Sequence, residues 1–103
     1  SLLPTSAQSA MLNCVLASVD AYEASGHTPE GLTMVSAAIA HAVSTPLPPA
    51  ASAVLRCVVA SVEAYEASGR TAEGQGMVDA ALRHAVKTIR GGAGEGLKGT
   101  ETD

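Results

Sequence analysis

Asn13-Cys14-Val15-Leu16-Ala17-Ser18-Val19-Asp20-Ala21-Tyr22-Glu23-Ala24-Ser25-Gly26 returns, nearly letter for letter, as Arg56-Cys57-Val58-Val59-Ala60-Ser61-Val62-Glu63-Ala64-Tyr65-Glu66-Ala67-Ser68-Gly69. The offset, 43 residues from Cys14 to Cys57, persists downstream through Thr28/Thr71, Glu30-Gly31/Glu73-Gly74 and Met34-Val35/Met77-Val78. It runs on through Ala37-Ala38/Ala80-Ala81, His41-Ala42-Val43/His84-Ala85-Val86 and Thr45/Thr88. Roughly two-thirds of each unit is identical. A period of this length marks one supersecondary unit used twice, so the fold follows from reading a single copy.

That copy reads as a helical hairpin. At about 100° per residue, Met11, Cys14, Val15, Ser18, Ala21 and Tyr22 share one broad arc, with Asn13 and Asp20 opposite. Gly26 and Gly69 follow the last periodic residue, where a left-handed helix end favours glycine. Thr28 and Thr71 are then placed to cap a second helix, with Pro29 at its first position and Glu30 near the positive end of its dipole. The second helices are expected to end near Val43 and Ile89, and Asp79, Arg83 and Lys87 form a solvent stripe at four-residue spacing.

Thr45-Pro46-Leu47-Pro48-Pro49 cannot continue a helix and joins the copies stiffly. The fold class is therefore all-α: a tandem repeat of two helical hairpins forming a four-helix bundle or a two-repeat helical array. One domain over residues 1–90 holds repeats at about 5–45 and 48–90. The Gly-rich stretch 91–103 has no apolar period and reads as a disordered tail.

Composition narrows the function. The 103 residues are 47% hydrophobic, with no Trp, no Phe and two Tyr, and much of the apolar count is alanine. Thin cores and closely packed helices follow. Six Lys and Arg against ten Asp and Glu, a net charge of -4, lack the basic footprint that nucleic acid or an anionic membrane surface requires. No stretch approaches the roughly 18 to 20 apolar residues that span a bilayer. Ser1-Leu2-Leu3-Pro4-Thr5 has no positive flank and no apolar run, so a cytoplasmic location is the expectation.

The two copies differ in one respect that bears on partners. Asp79, Arg83 and Lys87 correspond to Ser36, Ala40 and Ser44, and no Lys or Arg precedes Arg56. A helix without a charged face is usually covered on both sides. The reading is a homo-oligomer or protein-partner interface on the Thr33–Ser44 helix, through Met34, Ser36, Ala37, Ala40 and Ser44. Its bland alternative is that this helix is simply the central one of the bundle.

Cys14 and His41 lie at nearly equal distances from the first turn, as do Cys57 and His84 from the second. If the hairpins faced each other, two thiols and two imidazoles could converge on a zinc-like metal. Neither the C-x-x-C nor the H-x-x-x-H spacing is present, and free cysteine is among the most buried residue types, so core thiols are the first expectation. A Cys14–Cys57 disulfide is the other use open to them. Tyr22 and Tyr65 are expected to plug the core with wet hydroxyls, and with Glu23 and Glu66 they are the candidates for a small-ligand pocket between the hairpins. Glu23 and Glu66 could instead pair with His27 and Arg70. His27 is expected simply to be exposed. Catalysis would need Cys–His pairs with an orienting third group, and none is visible, so no enzymatic role and no cofactor are expected.

Overall fold

Thr28 and Thr71 each turn a side-chain oxygen onto the backbone N–H three residues on, Gly31 at 3.1 Å and Gly74 at 3.0 Å. These caps start the second helix of each repeat. The computed structural model describes residues 5–93. It contains α1 (Ser6–Ala24), α2 (Pro29–Val43), α3 (Pro49–Ala67) and α4 (Ala72–Thr88), and among the described residues no strand. Thr5 opens α1 with a capping box, its hydroxyl accepting from the Gln8 N–H while Gln8 Oε1 accepts from the Thr5 N–H.

Each hairpin reverses through two consecutive left-handed residues: Gly26 and His27 at φ 80° and 63°, Gly69 and Arg70 at φ 84° and 61°. Glycine takes the first position without a Cβ clash; His27 and Arg70 hold the second by bonds described below. The architecture is four helices, α1 packed on α2, α2 on α3 and α3 on α4. α1 and α4 are joined mainly by side chains.

The core is lined by Leu12, Val15, Leu16, Val19 and Tyr22 of α1, Leu32, Val35, Ile39 and Ala42 of α2, Ala51, Leu55 and Val58 of α3, and Val78, Leu82 and Ala85 of α4. The buried stripe of α1 is thus rotated from the arc drawn through Met11, Cys14 and Ala21. Leu12, Leu16 and Val19 carry more apolar area than Cys14 or Ala21, and the helix turns its bulkiest side inward. Cys14 and Cys57, expected in the core, are consequently exposed, and both are free thiols with no disulfide between them.

The linker is pinned at its middle. Gln8 Nε2 donates to the Pro46 carbonyl at 3.0 Å, and Leu47 packs half-buried against the core. At the other end of the chain, helical winding continues past Arg90 as a π-helical turn over Ile89–Ala93, with Ile89 fully buried. The stretch read as a tail, 91–103, thus shares residues 91–93 with this turn, and 94–103 lie outside the described residues.

Candidate functional site

The turn ends of the two hairpins meet, and there the first repeat places Tyr22 against α4. Its ring is fully buried, and its hydroxyl accepts from Gln75 Nε2 at 2.6 Å and donates to Asp79 Oδ1 at 3.3 Å. Gln75 Nε2 also donates to Asp79 Oδ1 at 3.0 Å. His27 stacks on the Tyr22 ring, centroids 4.4 Å apart and planes 20° from parallel. One imidazole nitrogen, Nδ1, meets Asp79 Oδ2 at 3.1 Å, and the other, Nε2, meets Glu23 Oε1 at 2.7 Å. The first repeat's turn is thereby tied to α4 of the second.

Three of these residues depart from their sequence reading. The Tyr22 hydroxyl, expected to be wet, is buried with its ring and bonded to Gln75 and Asp79. His27 is not simply an exposed turn residue, because the ring lies between two carboxylates. Asp79 leaves the expected solvent stripe of Arg83 and Lys87, half-buried and directed at Tyr22 and His27. Four-residue spacing on α4 hid this, since the partners lie 57 and 52 residues away. Gly31 makes room for the Tyr22 ring: a Cβ there would stand 3.1 Å from Tyr22 Cδ1, and Gly74 does the same for Tyr65 at 3.0 Å.

Burial pushes the Tyr22 hydroxyl up to about 12, with Asp79 adding to the effect, so this group stays a proton donor. The hydrogen bond to Glu23 holds His27 above its ordinary 6.5, outweighing the opposing effect of burial, and the Asp79 and Glu23 charges add to the rise. An imidazolium donates from both nitrogens, which is what two flanking carboxylates require.

Because the folded value exceeds the unfolded one, this contribution to stability is fully present below about pH 6.5 and is lost as pH rises through the raised folded value. Urea unfolding of the wild type is therefore expected to show falling stability above pH 6.5. The part of that slope belonging to His27 disappears in His27→Asn, a residue that tolerates the left-handed backbone. Equal slopes in the two proteins would rule the clamp out as its source.

At the other junction the same positions carry different chemistry. Tyr65, Glu66 and Arg70 repeat Tyr22, Glu23 and His27, but Leu32 and Ser36 of α2 stand where α4 has Gln75 and Asp79. A cleft of about 230 Å³ opens here, lined among others by Leu32, Ser36, Val62, Tyr65, Arg70 and Gln75. Tyr65 is only half-buried, and among the described residues its hydroxyl makes no hydrogen bond. Arg70 pairs with Glu66 through Nε at 3.0 Å and Nη2 at 3.1 Å. Of the expected pocket residues, Tyr65 and Glu66 line this cleft, whereas Tyr22 and Glu23 belong to the closed junction.

No protein-family model, curated protein or solved structure matches this chain.

The remaining candidates face outward. Met34, 66% exposed, lies with Ala37, Ala40 and Ser44 on the solvent side of α2, while Ser36 turns half-buried toward the cleft. α2 is therefore not enclosed on all sides by the bundle. Cys14, Cys57, His41 and His84 are all exposed, and the structure does not bring them together. Among the described residues no group of three or more His, Cys, Asp and Glu could hold a metal ion. Nor is any helix among them long and apolar enough to cross a membrane.

Proposed function

We propose that the chain is a non-catalytic helical module that associates with a second copy of itself through the outward flank of α2. The observation that supports this is an exposed strip, Met34, Ala37 and Ala40 of α2 with its cap Ser44, where no Asp, Glu, Lys or Arg occurs between Thr33 and Ser44; the ionisable neighbours on this flank are Glu30 in the first turn and His41 in the last. The matching strip of α4 has Met77 in the same exposed position but Arg83 and Lys87 in place of Ala40 and Ser44. Small side chains let two helix axes approach closely, and a methionine side chain adapts to the surface it meets. Burying Arg83 and Lys87 would instead strip two cations of water, which suits α4 to solvent. An α2 strip pairing with its own copy gives a closed twofold contact.

Sedimentation equilibrium tests this directly. A reversible dimer of the 10.2 kDa chain is expected at micromolar concentrations. Ala40→Arg is expected to return it to monomer with the helix content unchanged, because the guanidinium would be buried without a partner. A monomer at hundreds of micromolar, or a dimer indifferent to Ala40→Arg, defeats the proposal.

A further inference from the structure

The closed junction shows what these side chains do when a carboxylate stands among them. Asp79 accepts from the Tyr22 hydroxyl with one oxygen and meets His27 with the other, while His27 keeps Glu23 on its second nitrogen. At the open junction the three matching positions carry Tyr65, Arg70 and Glu66, a guanidinium standing in for the imidazole, and the counterpart of Asp79 is missing because Ser36 occupies its position. We propose that the cleft between α2 and α3 binds a small aliphatic monocarboxylate, whose charged end takes the place by Tyr65 and Arg70 that Asp79 takes by Tyr22 and His27.

The surroundings suit such a ligand at both ends. Arg70 spends Nε and Nη2 on Glu66, which leaves Nη1 for a second acid, as His27 serves two at once. Glu66 is the one carboxylate among the lining residues and is already engaged by Arg70. Leu32 and Val62 form the apolar wall, Leu32 having replaced the amide that Gln75 presents at the closed junction. About 230 Å³ accommodates a carboxylate with a chain of about four to six carbons. The reading does not depend on self-association.

The test is a titration of the full-length chain with hexanoate, followed by amide chemical shifts, with hexan-1-ol as the probe that keeps the chain and lacks the charge. Saturable shifts confined to the start of α2 and the end of α3 are expected for hexanoate, at least tenfold weaker for the alcohol. Arg70→Gln is expected to weaken hexanoate binding about tenfold or more. Ser36→Asp, which builds the missing acid into the chain, is expected to abolish it while leaving the far-ultraviolet circular dichroism unchanged. Absence of saturable shifts at tens of millimolar overturns the proposal. So do equal shifts with hexan-1-ol, unaltered binding in Ser36→Asp, or shifts gathered instead at Arg83, Lys87 and Arg90.

Discussion

Tyr22→Ala lowers the unfolding free energy by about 3–5 kcal/mol, whereas Tyr65→Ala, the same change at the matching position, costs markedly less. The difference comes from surroundings, since the flanking sequence is shared. Tyr22 is fully buried and holds Gln75, Asp79 and the stacked His27 in place; Tyr65 is half-buried beside an open cleft. Removing the Tyr22 ring leaves a void and also takes one of three partners from the half-buried Asp79 carboxylate, which keeps Gln75 and His27, so a polar cost adds to that of the cavity. At about 4–8 °C of midpoint per kcal/mol in a domain this small, calorimetry separates the two variants easily. Tyr22→Phe isolates the hydroxyl at about 1–2 kcal/mol. Equal losses for Tyr22→Ala and Tyr65→Ala would mean that the two junctions are energetically alike, contrary to the bonding described.

Ile89→Ala is expected to cost about 2–5 kcal/mol by urea unfolding, although it borders the Gly-rich end of the chain. Ile89 is fully buried and opens the π-helical turn that follows α4. Its counterpart one repeat earlier is Pro46, in the linker, so the second copy contributes an apolar anchor the first has no use for. Arg90, the next residue, reaches Asp20 of α1 at 3.7 Å but is exposed. Arg90→Ala should therefore change stability by well under 1 kcal/mol. An Ile89→Ala protein as stable as the wild type would place the end of the core before this turn.

Much of the fold was legible because it depends on local chemistry. Threonine caps, left-handed glycines and the proline-rich joint act within a few residues of themselves, and all act as their positions imply. The rotation of α1 about its axis was read less well. Ser18, Ala21 and Cys14 are too small or too ambiguous to define a face, and the side presented to the core was decided by Leu12, Leu16 and Val19. The junctions were the least legible. Nothing in the neighbourhood of His27 announces Asp79, and the unlike substitutions Gln75/Leu32 and Asp79/Ser36 acquire meaning only once both are seen beside a tyrosine. The pairing of Glu66 with Arg70, by contrast, follows from four-residue spacing alone.

The joint at Thr45–Pro48 does more than hold two hairpins in register. Were the same hairpins separate, identical molecules, every change on one would appear on its mate, and the two meeting places could only evolve in step. A single covalent strand breaks that bond of equivalence: one meeting place carries an acid and an amide and is sealed, while the other is open, and neither compromises its twin.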